Sequence, residues 1–239
     1  MNFLKDIAPE DVSTWQNKSF IEFDVDWASE EIIEYSYNII KEAGISATWF
    51  STHDSGVVRR IERDKSQDIG IHPNFVPNLI CDMERQKPIK QVFSELMNLY
   101  PRAKVMKSHS LVDSTIIQQT AKDFGITHDN NIFIPDPKVE LNPWRSYNGI
   151  IRLPLRWEDD TACLPSVNYE LDRFFSVSGL KIFGFHPIHV FLNTENLNRY
   201  EETRKFHQCS EKLRHYRFEG NGTETRLKKV VEYILENNG

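Results

Sequence analysis

An alternation of short apolar segments with longer amphipathic ones constrains the fold of this chain more than any other feature. A short, continuous apolar segment is typical of a buried strand, and apolar residues spaced by three and four are typical of a helix. Strands are predicted at residues 19–25, 45–50, 67–72, 104–109, 153–157 and 181–185, and helices at 29–43, 87–100, 114–124, 196–216 and 223–237.

This alternation favours a parallel sheet covered by helices, that is, an α/β fold. The stretch 132–151 contains several prolines and is predicted to be mostly loop with short strands. Ser29 is expected to cap the first long helix, and Gly44 to end it. With 239 residues, the chain is long enough for one α/β barrel, so a single domain over 1–239 is expected.

Composition excludes several classes of function. The net charge of -6 argues against a protein that binds a phosphate backbone. Three widely spaced cysteines, Cys81, Cys163 and Cys209, predict neither a disulfide framework nor a cysteine zinc site. No apolar segment is long enough for a membrane span, and residues 1–18 resemble neither a signal nor an anchor, so a cytoplasmic location is expected. The oligomeric state is not indicated.

Polar side chains follow most of the predicted strands. In an α/β barrel the carboxyl ends of all strands meet at one face, so such residues converge from distant parts of the sequence. An acidic pair after a strand also forms turns or helix caps, and a Pro-Asn turn explains Asn74 equally well. The recurrence after successive strands favours a shared site, whose candidates are Asp24, Asp26, His72, Asn74, His109, residues 157–160, His186 and His189.

Three sequence motifs suggest a family. FDVDW at 23–27, IGIHPNF at 69–75 and FGFHPIH at 183–189, together with SHS at 108–110 and WEDD at 157–160, resemble the polysaccharide deacetylase family with its NodB homology domain. The order of the motifs is closest to a divergent branch associated with polysaccharide biosynthesis. The resemblance implies a distorted, incomplete (β/α) barrel that removes acetyl groups from sugars with the help of a metal ion.

The resemblance also implies roles for individual residues. Asp24 corresponds to the general base, Asp26 and His72 to metal ligands, and His186 to the acid that protonates the leaving group. The family's second metal histidine is replaced by Val76, which cannot bind metal. His109 is the preferred replacement, with His186 or His189 as the alternatives, and a ligand role for His186 stays open beside the catalytic one.

Other assignments are less tied to the motifs. The family's arginine partner of the base is missing, and Lys107, Arg152 or Arg156 could supply its charge. Substrate contacts are expected from the polar and aromatic residues around the motifs, with Trp27 and Trp144 as further possible walls and Trp49 in the core. The substrate-binding candidates are Asn74, Trp157, Glu158, Asp159 and His189.

The sequence therefore predicts a metal-dependent carbohydrate deacetylase. Histidine and carboxylate ligands favour zinc as the divalent ion. The expected substrate is an N-acetylated or O-acetylated sugar or glycan intermediate, and without an export signal an intracellular sugar fits best. The broken histidine motif at Val76 leaves a non-catalytic carbohydrate-binding protein as one alternative, and a metal amidohydrolase acting on a non-sugar amide as another.

Overall fold

The predicted strands form one sheet in the computed structural model, which describes residues 3–164 and 170–237. The strands are β1 (Ser19–Asp26), β2 (Ala47–Ser51), β3 (Asp68–Ile71), β4 (Val105–Met106), β5 (His128–Phe133), β6 (Trp144–Arg145), β7 (Ile151–Leu155), β8 (Trp157–Glu158) and β9 (Lys181–Phe185). The helices are α1 (Glu30–Ala43), α2 (Gly56–Arg63), α3 (Val76–Leu79), α4 (Ile89–Leu99), α5 (Thr115–Asp123), α6 (Asp159–Ala162), α7 (Pro187–Leu192), α8 (Leu197–Thr203), α9 (Ser210–Arg214) and α10 (Thr223–Asn237).

The order of the strands makes the sheet curl into an incomplete barrel. It runs β6-β7-β5-β4-β3-β2-β1-β9-β8, and every pair is parallel except β6 with β7. Only Arg156 separates β7 from β8, although these strands lie near opposite ends of the order. A flat sheet cannot satisfy that connection, so the two ends bend towards each other. The predicted α/β barrel fold is confirmed.

The two faces of the sheet bury different sets of side chains, as the period of two along a strand requires. Ile21, Phe23 and Val25 of β1 belong to the large core between the sheet and the helices. Phe20 belongs to a second core, which it shares with Phe50 and with residues of β7 and β9. Residues 22, 24 and 26 follow Phe20 at the same period, and Glu22 and Asp24 are buried. The charged residues of β1 therefore line the interior of the barrel.

The amino-terminal segment closes the barrel at the end opposite the strands' carboxyl ends. Leu4, Ile7 and Trp15 pack in the interior core with Phe20 and Leu180. The carboxyl ends of the strands are left free for a site. Among the described residues, every helix is too short or too polar to cross a bilayer.

Most predicted elements are present, with shifted ends. The bounds of β9 and α10 agree with the prediction, and Gly44 ends α1 with a φ of 68°, but the Ser29 side chain makes no capping hydrogen bond. The single strand expected at 153–157 is interrupted at Arg156, and only Val105–Met106 of 104–109 form a strand. The strand β5 and the helix α2 were not predicted.

The continuous helix predicted at 196–216 is wrong. The chain there forms α8, a 3₁₀ turn and α9. Phe206 stacks on Tyr216 with ring centroids 5.6 Å apart. In one straight helix residues ten apart lie about 15 Å apart along the axis, so this contact requires the chain to turn back.

We predict that Gly184→Ala lowers the free energy of unfolding by about 1–3 kcal/mol, as overpacking of a core does. A Cβ at Gly184 overlaps Oε1 of the buried Glu22 and touches Leu155. Urea denaturation measures the loss. Gly56→Ala is the control, because its Cβ meets only the side chain of Glu30, and it should change stability by less than about 0.5 kcal/mol. Equal effects of the two variants would contradict the packing argument.

Candidate active site

Three side chains of the kind that binds metal converge at the carboxyl ends of β1, β3 and β4. Asp26, His72 and His109 each offer one ligand atom, and these atoms all lie within 4.8 Å of one another. Asp26 Oδ1 is 3.0 Å from His109 Nδ1 and 3.3 Å from His72 Nε2. The strand β1 bulges between Asp24 and Asp26, and Asp26 has a φ of 48°, a conformation that aspartate tolerates better than most residues.

The donors fit a divalent metal ion. His72 is 1% exposed; its Nε2 lies 3.3 Å from Asp26 and its Nδ1 3.5 Å from Asp24, but among the described residues neither nitrogen makes a hydrogen bond of good geometry. A buried polar group without a partner is costly, and a metal ion would supply one. Two imidazoles and a carboxylate are a ligand set that zinc accepts while leaving one position open. Val76 lies outside this group, at the start of α3, where its amide donates to Asn74 Oδ1.

Asp24 lies beside these donors and is paired with Lys107. The Lys107 ammonium is 2.7 Å from Asp24 Oδ2, while Asp24 Oδ1 has no hydrogen-bond partner among the described residues. Burial works to raise the pKa of Asp24, but Lys107, His72 and His186 together hold it below the usual carboxyl range. Asp24 is therefore an ionised carboxylate with one oxygen available. The other two cations considered for this partnership lie elsewhere: Arg152 pairs with Asp113, and Arg156 donates to the Asp136 carbonyl.

Lys107 holds two further buried carboxylates. Its ammonium is 2.7 Å from Glu22 and 2.6 Å from Glu158. Burial raises the pKa of Glu22 well above its usual value and that of Glu158 to about 7. Although Asp24, Glu158 and His186 also form a group of possible ligands, the Lys107 ammonium bonds to two of its three members, so this group is not a second metal site.

His186 lies on the other side of Asp24. Its Nδ1 donates to Asp159 Oδ1 at 2.7 Å, its backbone amide donates to Asp159 Oδ2 at 2.8 Å, and its Nε2 is 3.6 Å from Asp24 Oδ2. Burial works to lower the pKa of His186, but the Asp159 carboxylate raises it well above the usual value. Asp159 therefore favours the protonated imidazole and orients it towards Asp24.

The structure places most of the expected substrate-binding residues away from the surface. Trp157 is 1% exposed and packs against Phe185 in the core, with ring centroids 5.2 Å apart, because β8 turns its tryptophan towards the helices. Glu158 contacts Lys107, and Asp159 contacts His186. His189 is buried, and its Nδ1 bonds to Thr194 Oγ1 at 3.1 Å. These four residues support the site from inside.

A cleft of about 570 Å³ borders the site at His72, and most of its other lining residues belong to α3, to α4 or to the chain between them. Asn74 lines it, together with His72 at the metal donors. Trp27, which was only one of several possible walls, also lines the cleft; it is 49% exposed and lies edge-on to His109 with centroids 5.0 Å apart. Trp144 lies on β6 at the edge of the sheet, and Trp49 is in the core.

Sequence analysis missed Glu22, although the sequence contained a signal for it. Glu22, Asp24 and Asp26 are spaced by two, which places them on one face of a strand. A glutamate inside an otherwise apolar strand should be buried with a cation, and Lys107 was already a candidate.

A family model and two solved structures are similar to this chain. The model of the WbmS-like polysaccharide deacetylase family matches residues 21–204. A structure from Bordetella bronchiseptica, described as a polysaccharide deacetylase involved in O-antigen biosynthesis, has 32% identity and a TM-score of 0.91, covering 99% of this chain and 97% of that one. One from Mycobacterium smegmatis, described as a polysaccharide deacetylase, has 15% identity and a TM-score of 0.49, covering 92% and 91%. No curated protein sequence matches significantly.

We predict that Lys107→Met lowers the free energy of unfolding at pH 7 by about 3–5 kcal/mol, because it leaves buried carboxylates without their cation. Protonating these carboxyls in the folded variant relieves the cost. Since burial already raises the pKa of Glu158 to about 7, the difference between variant and parent should shrink as the pH is lowered below 7. Urea denaturation across pH measures both effects.

The control is Lys181→Met. Lys181 is also buried, on β9, and burial lowers the pKa of its ammonium. Replacing it by an apolar side chain should be neutral or stabilising. If both lysine variants lost similar stability, the role of the carboxylates around Lys107 would be contradicted.

Proposed function

Because the chain belongs to the WbmS-like polysaccharide deacetylase family, we propose that it is a metal-dependent hydrolase that removes an acetyl group from an N-acetylated or O-acetylated sugar. The observation that carries this proposal is the placement of Asp24 and His186 next to the three donors Asp26, His72 and His109. Asp24 has a lowered pKa and His186 a raised one. One fold thus presents a base and an acid that are both in their working forms at neutral pH.

The proposed metal ion is zinc, held by Asp26, His72 and His109. When bound, such an ion activates water near neutral pH and polarises the acetyl carbonyl. Asp24 accepts the proton of the attacking water on Oδ1, since Lys107 occupies Oδ2. Lys107 keeps this carboxylate oriented and ionised.

His186 completes the reaction as the acid. Its Nδ1 is fixed by Asp159, so Nε2 is the nitrogen that delivers the proton to the departing sugar nitrogen or oxygen. Departure as a neutral amine or alcohol avoids a poor anionic leaving group. Trp27 offers an exposed aromatic face at the cleft, which suits the C-H face of a sugar ring.

The proposed substrate class is a glycan intermediate of surface polysaccharide synthesis. The related protein from Bordetella bronchiseptica is described as involved in O-antigen biosynthesis. The cleft volume of about 570 Å³ lies within the range of pockets that hold small ligands. The chemistry of the site supports deacetylation, and the description of the related protein narrows the proposed substrate to this class.

Acetate release from a panel of N-acetylated and O-acetylated saccharides tests the function. We expect activity that chelator removes and zinc restores. His109→Ala should abolish stoichiometric zinc and lower kcat/KM by more than the roughly 100-fold that loss of a ligand's outer partner costs. Zinc content and kcat/KM measure the two effects.

The control is His207→Ala, since His207 is also half-buried but belongs to none of the three ligand groups found among the described residues. It should keep zinc and activity. An active protein indifferent to chelator would overturn the proposal, as would sugar binding without acetate release. Release of acetate from non-sugar amides alone would instead indicate an amidohydrolase.

We predict that Asp159→Asn moves the alkaline limb of the pH profile of kcat/KM to lower pH by about 1–3 units, the size of shift that a close carboxylate causes. The negative charge of Asp159 favours the proton on His186, so without it His186 loses the proton at lower pH. The acidic limb, set by Asp24, should stay in place.

Asp160→Asn is the control for this profile. Asp160 follows Asp159 directly and acts on the pKa of His186 only through space, while its Oδ1 accepts from Thr161 Oγ1 at 3.0 Å. Its effect on the alkaline limb should be smaller. A uniform loss of activity at every pH in Asp159→Asn would show that Asp159 does not tune the acid.

A further inference from the structure

The short segment 107–113 carries two parts of the site. Lys107 pairs with Asp24, and His109 lies among the metal donors. Between His109 and α5 the backbone is unusual, because Ser110 has a φ of 56° and Leu111 a φ of 54°. A leucine in the left-handed region is a rare conformation that the surroundings must hold in place. The position of His109 therefore depends on whatever fixes this segment.

On one side, the segment 107–113 is hydrogen-bonded to residues at the end of β3. The amide of Lys107 donates to the Ile71 carbonyl at 3.1 Å, and the amide of His109 donates to the Pro73 carbonyl at 2.9 Å. Successive residues of an extended chain face opposite neighbours. Ser108 therefore turns the other way, towards β5.

The strand β5 meets Ser108 with a side chain instead of its backbone. Pairing of β4 with β5 stops at Met106 and Asp129, and between Asp129 and Ile132 the register of β5 against β7 is irregular. Asn131 Oδ1 accepts from the Ser108 amide at 2.6 Å, and Asn131 Nδ2 donates to Ser108 Oγ at 3.2 Å. Both residues are buried. The Asn131 amide thus replaces the missing backbone partner beyond the register shift.

The far end of the segment is tied to the same strand through Asp129. Asp113 accepts from Arg152 at 2.7 Å and from Gln118 at 2.8 Å. Arg152 Nε is also 3.0 Å from Asp129 Oδ1, and Gln118 Nε2 donates to Asp129 Oδ2 at 2.7 Å. Asp129 Oδ2 in turn accepts from Asn131 Nδ2 at 2.9 Å. One network, buried except at Asp113, joins both ends of the segment to β5.

We propose that Asn131 is a positioning residue of the deacetylase site, which sets His109 for the metal ion and Lys107 for Asp24 by holding Ser108 between them. The inference rests on the proposed function, because it gives that site its support on the β5 side. Asn131 does not line the cleft, and the hydrogen bonds described for its side chain go to Ser108 and Asp129, so it acts through the backbone of Ser108.

The inference is tested by the zinc affinity of Asn131→Ala, measured by competition with a chromophoric chelator. The spectrum of the Co²⁺-substituted protein is a second readout. We expect affinity to fall about 10- to 100-fold, as when an outer partner of a ligand is removed, with a changed Co²⁺ spectrum. In acetate release kcat should fall more than KM rises, because the base and the metal are displaced.

Two matched variants separate positioning from stability. Asn130 is the preceding residue, equally buried, and its Nδ2 donates to the Leu153 carbonyl at 2.6 Å, away from the segment. Asn130→Ala should lower the urea midpoint yet leave zinc affinity and the Co²⁺ spectrum unchanged. Asn131→Gln keeps both the acceptor for the Ser108 amide and the donor to Asp129, and it should recover part of the zinc affinity.

The outcomes distinguish this inference from the proposed function. If the parent binds zinc and Asn131→Ala binds it equally well, or if Asn130→Ala weakens zinc to the same extent, the positioning role is overturned and the proposed function stands. If the parent binds no zinc, the proposed function fails first. Should Asn131→Ala not fold, Asn131→Ser takes its place, because its hydroxyl can donate to Asp129 but is too short to hold the Ser108 amide. Zinc affinity and a Co²⁺ spectrum equal to the parent's in this variant would overturn the inference.

Discussion

A single ammonium group in the interior of the barrel is the contact on which the rest of the site depends. Lys107 is 1% exposed and lies within 2.7 Å of carboxylate oxygens from Glu22 and Asp24 on β1 and within 2.6 Å of one from Glu158 on β8. Strands from distant parts of the chain are thus joined by one charge. The same charge lets Asp24 remain ionised where water is excluded, while Glu22 and Glu158 are shifted towards their neutral forms. The Lys107 ammonium therefore contributes both to the stability of the fold and to the ionised state of Asp24.

In the proposed metal site, the third ligand comes from a different element than the family pattern implies. Val76 stands where the family pattern has a histidine, and it begins α3. His109, at the end of β4, lies 3.0 Å from Asp26 instead. The proposed third ligand therefore follows β4 instead of lying in the loop after β3, and its placement depends on β4, β5 and the residues between them.

Much of the fold and the central residues could be predicted from the sequence because strand ends in a barrel meet at one face. Asp24, Asp26, His72, His109 and His186 follow apolar strands and do lie together. The roles given to them remain proposals. The strand β5 was missed for a physical reason: its residues Asp129, Asn130 and Asn131 are polar, yet all three are buried because they bond to one another and to neighbouring strands. Periodicity of apolar residues cannot detect such a strand.

The substrate-binding residues could not be read from the sequence for a related reason. Tryptophan beside carboxylates suggests a sugar surface, but Trp157 and Glu158 are adjacent residues of a strand and face opposite sides of the sheet. Glu158 reaches Lys107 in the interior of the barrel. Trp157 must therefore point to the other face of the sheet, where it packs in the core between the sheet and the helices. Which face of the sheet lies inside the barrel depends on how the whole sheet curls, and the local sequence does not determine this.

The pairing of β1 with β9 has a consequence for the order in which the site is assembled. β1 lies between β2 and β9, and its register joins Ser19 to Lys181. All three proposed metal ligands come from the first half of the chain, whereas the proposed acid His186 and its partner Asp159 come from the second. Contacts between such distant residues form slowly, since a long loop must close before they are made. In the proposed mechanism, the acid therefore joins the metal ligands only when the second half of the chain has folded against the first.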